Sequence, residues 1–349
     1  MLDRFFSHFR TDLAVDLGTA TTLIGVVGQG LVVDEPSVVA VERDGRAVLS
    51  GGRAVGQLAR QMLGRTPESV RVVRPLSEGV IADFELCEAM LSHLLRKARP
   101  RGHRLRPRVL VGVPGRITPV ERRAVFGSTL RAGAAQVWLL DEAKAAAIGC
   151  GLPVAEPLAN MICDVGGGTT EVAVLSMSDT VAAESIRTGG DRMDDALIGW
   201  LRRHYSLKVG RPAAERLRID AGSAWPLDEE RSVEITGIDT VSGLPRRADV
   251  TSEEVRQALS EPLEEIVDAV REVIDRCGPD LAADLVERGM ILCGGASLLP
   301  GLDRYLTEHT GLPIRRALDP RTAVVEGLLI ALEQFDRWRP SLQSSDDTP

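Results

Sequence analysis

Apolar and polar positions follow the same order in two distant stretches of the chain. Residues 12–27 read as a β-branched strand, a tight turn at Asp16-Leu17-Gly18-Thr19 and a second strand; residues 161–175 repeat this as Met161–Asp164, Gly166–Gly168 and Val172–Leu175. Asp16 and Asp164 lie 148 residues apart, which predicts two related halves, each opening with a hairpin whose tip touches a ligand. Elsewhere the hydrophobic period switches to that of helices. Asp83 caps a predicted helix carrying Phe84, Cys87, Leu91, Leu94 and Leu95 on one side, and Arg108–Val113 reads as a buried parallel strand. Thr118-Pro119-Val120-Glu121 combines a capping residue, a proline at the first helical position and a glutamate at N3, so a helix should run to about Arg131. Gln136–Leu140 is the next strand; it delivers Asp141 and Glu142 to an alanine-rich helix ending near Gly149 and Gly151.

In the second half, Gly189-Gly190-Asp191 precedes a helix with Met193, Leu197, Leu201 and Tyr205 spaced for one face. Thr251–Glu254 opens a long helix through about Cys277, expected to bend at Pro262. Gly289–Cys293 is a strand that turns through Gly294-Gly295-Ala296 into a helix near Leu298. Residues 322–338 read as an apolar helix and 340–349 as a disordered polar tail. Scattered glycines and prolines over 33–78 and 206–250 mark smaller inserted subdomains. Strands alternating with helices predict an α/β fold, with ligands at the carboxyl ends of the strands.

At 349 residues and 44% hydrophobic, the chain can build two ordinary cores. Its 42 basic against 50 acidic residues give a net charge of -8, which argues against a nucleic-acid partner. Cys87, Cys150, Cys163, Cys277 and Cys293 are well separated and read as reduced thiols of a cytoplasmic protein. No stretch reaches the ~18 apolar residues of a spanning helix, and the N-terminus lacks the apolar core of a signal peptide. Within residues 1–10, Met1, Leu2, Phe5, Phe6 and Phe9 gather on one helical face, either packed on the chain's own domain or lying in a lipid interface.

The candidate chemistry lies in the turns. Glycines let successive N–H groups approach an anion, while an aspartate at the end of the preceding strand can hold magnesium through its waters. Two such turns facing each other would grip one nucleotide. Glu142 alone also reads as a helix-start carboxylate favoured by the dipole, and Glu215 with Arg218 as an exposed i, i+3 pair. His8, His93, His103, His204 and His309 show no ligand spacing, and Gly112 reads as a packing residue.

An ordered series of motifs adds a resemblance: DLAVDLGTATTLIGV from Asp12, DEPSVVA from Asp34, RQMLGRTP from Arg60, GVIADF from Gly79, PVERRAV from Pro119, DVGGGTTEVAV from Asp164, GGDRMDDA from Gly189 and ERGMILCGGASLL from Glu287. Through them the chain resembles the actin, sugar kinase and heat-shock chaperone superfamily and, within it, the MreB family of bacterial actins that organise cell-wall growth. The resemblance implies an actin-like fold of two related ribonuclease-H-like lobes around a nucleotide cleft. Lobe I would span 11–146, with an insertion at about 33–78, and be completed by helix 322–338; lobe II would span 147–321, with an insertion at about 190–250.

It also implies ATP and Mg2+ as ligands. Asp16 and Asp164 would position the metal through water. Gly18, Thr19, Ala20 and Thr21 would face the β- and γ-phosphates, with Gly166, Gly167, Gly168 and Thr169 closing from the other side. Gly189 and Gly190 would lie beside the nucleotide, Glu215 and Arg218 near the ribose and adenine, and Gly294, Gly295 and Ala296 at the adenosine. Glu142 would orient the attacking water with help from Thr169, giving a slow ATPase. The implied partners are further copies of the chain in a filament, cell-wall synthesis and membrane adaptor proteins, and the inner face of the cell membrane through residues 1–10. The chain departs from the family pattern at Thr21, at Asp141-Glu142-Ala143-Lys144, at Ala296 and at Gly327-Leu328-Leu329. Two readings compete: a small-molecule kinase using the same clamp, and a nucleotide-binding scaffold without hydrolysis.

Overall fold

The computed structural model describes residues 11–42, 48–49, 54–99 and 105–345. The membrane-facing reading of residues 1–10 lies outside them. The chain divides into two units, residues 1–158, 175–180 and 321–349 in the first and residues 159–174 and 181–320 in the second.

The first unit is built on a six-stranded sheet. It contains β1 (Asp12–Leu17), β2 (Thr21–Val26), β3 (Gly30–Pro36), β8 (Arg108–Val113), β9 (Gln136–Asp141) and β18 (Gln343–Ser344), in the order β18-β9-β8-β1-β2-β3. The hairpins β1–β2 and β2–β3 are antiparallel, whereas β1, β8 and β9 run parallel. Between β3 and β8 lie two short antiparallel pairs, β4 (Val39–Glu42) with β5 (Val70–Val73) and β6 (Leu76–Ser77) with β7 (Val80–Ile81). Thus β3, read as part of the insertion, belongs to the main sheet. One face of that sheet is covered by the helix Phe84–Ala98, whose N-cap Asp83 accepts from the Leu86 N–H. Its buried residues include Leu86, Cys87, Met90, Leu91, Leu94 and Leu95, while Phe84, at the first helical position, is 48% exposed. The Thr118–Glu121 capping box forms as its spacing requires.

On the other face, the helices Glu142–Gly149 and Ala323–Glu333 cross so closely that backbone meets backbone. A Cβ on Gly327 would overlap the Ala145 carbonyl oxygen, and one on Gly149 would overlap that of Ala323. Leu328 and Leu329, next to Gly327, are buried in the core beneath.

Two boundaries differ from the sequence reading. The first unit extends to residue 158 because Leu152 N–H donates to Ala147 O, while Met177 and Ser178 N–H donate to Glu156 O and Val154 O. These bonds tie 150–158 and the 175–180 hairpin tip to the alanine-rich helix. The tail is not disordered through 340–344: Arg339–Ser341 forms a 3-10 turn, and β18 pairs antiparallel with β9, placing Gln343 opposite Leu139 and Ser344 opposite Trp138. The cause is tertiary, since β9 would otherwise leave a row of unpaired backbone groups along the sheet edge. Leu342 and Trp338 are buried there, and Phe335 meets Trp138 edge-to-face at 5.1 Å with Arg108 over its ring at 4.1 Å.

The second unit holds β10 (Asn160–Val165), β11 (Thr170–Ser176), β12 (Asp179–Ile186), β16 (Met290–Cys293) and β17 (Ile314–Arg316) in the order β12-β11-β10-β16-β17. A smaller sheet joins β13 (Leu207–Lys208), β14 (Ser232–Asp239) and β15 (Pro245–Thr251). The small sheet shares one core with the large one. Met193, Leu197 and Leu201 of the helix Gly190–Tyr205 lie in the same apolar cluster as Met161 and Val172 of the large sheet and Ile235 and Val250 of the small one. The predicted long helix is interrupted at Leu259, between Ser252–Ala258 and Ser260–Asp275. Pro262 lacks the N–H that would bond to Ala258, so the break falls one turn before the proline itself.

All five cysteines are free. Burial pushes the Cys87 thiol up to about 12 and the Cys163 thiol also well up, as inert core thiols require.

We expect Gly327→Ala to cost more than 2 kcal/mol in urea unfolding, since overpacking a rigid crossing typically costs ~1–3 kcal/mol. Thr118→Ala, which removes one exposed cap, should cost about 1 kcal/mol. The reverse order would contradict the crossing as a structural constraint.

Candidate functional site

Each unit ends its opening hairpin in a turn of the same construction. In the first, β1 places Asp16 beside Gly112 of β8 in parallel register, and Gly112 lies beside Leu140 of β9. Glu142 begins the helix two residues after Leu140, and its Cγ comes within 3.3 Å of where a Gly112 Cβ would stand. Gly112 is the packing residue expected, since a Cβ there would crowd Val324 as well as the Glu142 stem beside the Asp16 row. Asp141, the N-cap of the same helix, makes no side-chain cap bond. Burial raises its carboxyl above the usual range, and the Lys144 and Arg122 charges oppose that rise. Lys144 is buried, with its ammonium 3.8 Å from Asp179.

The β1–β2 turn is held from behind. Ser37 N–H donates to Ala20 O at 3.0 Å, and Ser37 Oγ donates to Gly18 O at 2.6 Å. Thr19 is buried, and its Oγ1 accepts from Gly79 N–H at 2.9 Å, which leaves the hydroxyl proton for another acceptor. Ala20 and Thr21 are half-buried at the tip.

In the second unit, Gly166 N–H bonds Thr169 O at 2.8 Å within the β10–β11 turn. Gly190 and Asp191 N–H, at the start of the helix Gly190–Tyr205, donate to Gly166 O at 3.0 Å and Gly167 O at 2.7 Å. This approach needs Gly189, whose Cβ would come within 2.6 Å of Gly166 O. On the other side Gly294 has φ 87, and a side chain there would overlap the Asp164 carboxylate and the Val165 carbonyl. Ser297 Oγ donates back to Gly294 O at 2.6 Å, fixing the 294–296 turn.

Arg218 reaches the same place. Its guanidinium lies 3.2 Å from a Gly190 Cβ position, which is itself 3.8 Å from Ala296 Cβ. Its Nε donates to Asp194 at 2.6 Å, with both side chains largely buried, so Arg218 is not the exposed partner of Glu215 that i, i+3 spacing allows. Burial pushes the Asp194 carboxyl up to about 6, with the Arg218 charge opposing. Glu215 stands half-buried one turn before Arg218. The second unit thus gathers Asp164, Gly166–Thr169, Gly189–Gly190, Arg218 and Gly294–Ala296. The first gathers Asp16, Gly18–Thr21 and Glu142. Sequence reasoning misses Ser37, Gly79 and Asp194 as supports of these turns, although they lie in the DEPSVVA, GVIADF and GGDRMDDA stretches.

The side chain of Asp164, a residue only 8% exposed, has no hydrogen-bond or ion-pair partner among the described residues, and burial alone pushes its carboxyl up to about 6. A buried carboxylate that no protein donor satisfies suits a hard cation, and magnesium prefers such oxygen ligands with several of its waters retained. No cluster of three or more His, Cys, Asp or Glu side chains that could hold a metal ion occurs among the described residues.

Asp164 gives a pH dependence with a definite sign. Its folded value of about 6 lies above the ~3.9 of an unfolded aspartate, so in ligand-free protein it costs stability progressively as pH rises from 4 to 6. We expect Asp164→Asn to stabilise the ligand-free protein by roughly 3 kcal/mol at pH 7.5, with less than half of that gain at pH 4.5. Urea unfolding at the two pH values checks this; an equal effect at both would show that the carboxylate carries no burial cost.

The family described as MreB/Mbl protein matches residues 10–340. The cell shape-determining protein MreB of Escherichia coli K12 is 49% identical over 347 residues, covering 99% of this chain and all of that one. The cell shape-determining protein Mbl of Bacillus subtilis is 42% identical over 329 residues, covering 94% of this chain and 98% of that one. Among solved structures, MreB5 of Spiroplasma citri bound to AMPPNP has a TM-score of 0.88 at 34% identity, covering 95% of this chain and 98% of that one. The MamK double helical filament, at 23% identity and a TM-score of 0.78, shares the actin-like fold. A match over nearly the whole chain, with these turns in place, shows that the protein belongs to the MreB/Mbl family of bacterial actin-like, cell shape-determining proteins.

Proposed function

We propose that the chain binds Mg-ATP through its two turns and polymerises in an ATP-dependent way into a membrane-associated filament that organises cell-wall synthesis and cell shape. One observation carries this reading: both units build a turn whose carbonyls are bonded from behind, beside a strand-end aspartate. Solved MreB5 structures of Spiroplasma citri bound to AMPPNP and to ADP support nucleotide as the ligand.

In this reading the N–H groups of Gly18–Thr21 and Gly166–Thr169 hold the phosphates, as such nests hold anions. Asp16 and Asp164 would hold magnesium, which when bound would supply positive charge at the phosphoryl oxygens. Gly189, Gly190 and the 294–296 turn leave room for the nucleoside, with Arg218 and Glu215 at its ribose and base. Glu142 accepts a hydrogen bond from the attacking water and Thr169 helps orient it, so the protein contributes position rather than covalent chemistry. A ligand contacted by two units favours whichever arrangement completes its contacts. Copies joined head to tail through a heterologous contact grow a filament instead of a ring.

No helix among the described residues is long and apolar enough to cross a membrane. Residues 1–10 would attach by their Phe-rich face; a single short helix binds lipid weakly, and many copies on one filament add. Cell-wall synthesis and membrane adaptor proteins are the proposed partners, on the cytoplasmic side.

We expect Mg-ATP to make the protein sediment in pelleting assays and to recruit it to anionic lipid vesicles, with deletion of residues 1–10 abolishing recruitment but not pelleting. Absence of ATP-dependent pelleting at every concentration tried would count against the filament. Glu142→Ala should lower ATP turnover about 100-fold, the scale of a lost positioned base, while leaving Mg-ATP affinity within about threefold. Equal turnover in variant and wild type would instead support a scaffold without Glu142-dependent hydrolysis.

A further inference from the structure

The DEPSVVA stretch, residues 34–40, is a junction. Asp34 pairs with Arg321, Glu35 accepts from Gln57 N–H and pairs with Lys97, and Ser37, fully buried, turns towards the β1–β2 turn. Ser37 has one hydroxyl proton, and it is committed to Gly18 O. The 2.8 Å contact between Ser37 Oγ and Thr22 Oγ1 is therefore a bond that Thr22 donates. With its N–H on Ala20 O, this one residue holds two alternate carbonyls of the turn. A trans peptide carries N–H and C=O on opposite sides, so the N–H groups of Thr19 and Thr21 point away from Ser37.

The second unit reaches the same result by other means. There the Gly190 and Asp191 N–H groups hold the carbonyls of Gly166 and Gly167, turning the Gly167 and Gly168 N–H groups outward. A β-hairpin does not need donors from outside to close its turn. That two unlike local sequences both supply them points to a requirement of the ligand.

We infer that Ser37 is a positioning residue for phosphate binding. It never touches the ligand, but sets the direction of the N–H groups that do. The inference rests on the reading that this turn binds the phosphates of Mg-ATP. Ser37→Ala frees Gly18 O and also strands the Thr22 hydroxyl in the core, so it should lower both stability and affinity. Ser37→Ala combined with Thr22→Val removes the stranded hydroxyl and separates the two effects.

The experiment is calorimetric titration with Mg-ATP, alongside urea unfolding, of wild type, Thr22→Val, Ser37→Ala and the double variant, at a temperature where each is folded. Losing the hydroxyl's hold on the turn should weaken Mg-ATP binding by about tenfold in Ser37→Ala, the scale of one net hydrogen bond. The double variant should recover much of the unfolding midpoint while keeping the weakened affinity, and Thr22→Val should bind within about twofold of wild type. Wild-type affinity in Ser37→Ala, or affinity recovered together with stability in the double variant, would overturn the positioning role alone. If Ser37→Ala does not fold, the double variant and Thr22→Val still decide. Wild-type protein that binds no Mg-ATP would remove the nucleotide reading itself, and this inference with it.

Discussion

A peptide unit that offers its N–H to an anion presents its carbonyl on the opposite side, and a carbonyl buried without a donor is costly. Both glycine turns of this chain, proposed to bind the phosphates, meet that constraint with donors placed behind them, from Ser37 in one unit and from the start of the helix Gly190–Tyr205 in the other. Much of the local architecture follows. Donors can stand behind the second turn only if backbones nearly touch, which explains glycine at 189. Gly294 lets a third segment close over the Asp164 carboxylate, whose charged form burial disfavours.

The same preference for close backbone contact positions Glu142. The helix it begins is short, and a helix of eight residues has little stability of its own. Its direction is fixed by the crossing with Ala323–Glu333, where Gly149 and Gly327 each face a carbonyl. Gly112 then leaves space for the Glu142 stem at the carboxyl end of the sheet. Ala143, Lys144, Leu328 and Leu329 are buried side chains around this crossing, and the helix start keeps its glutamate beside the Asp16 row.

What could be read from the chain was local. The Thr118–Glu121 and Thr251–Glu254 capping boxes and the Asp83 cap involve residues three apart, and they form as their spacing predicts. The turns were visible because glycine and aspartate needs are written into a few adjacent positions. Their supports were not. Ser37 acts on Gly18 across 19 residues, Gly79 on Thr19 across 60, and Asp194 on Arg218 across 24. Period alone placed Phe84 with the buried face of its helix, although a first-turn position left it half-exposed. The ordered tail was illegible for a similar reason: residues 343 and 344 are polar, and only the unpaired edge of β9 makes them a strand.

Amide hydrogen–deuterium exchange with and without Mg-ATP tests the central claim most directly, because it reads the N–H groups themselves. The account predicts that Mg-ATP slows exchange in peptides covering residues 17–22 and residues 164–170 together, at the same ligand concentration. Protection of one segment without the other, or of neither while nucleotide is bound, would contradict a ligand held by both turns.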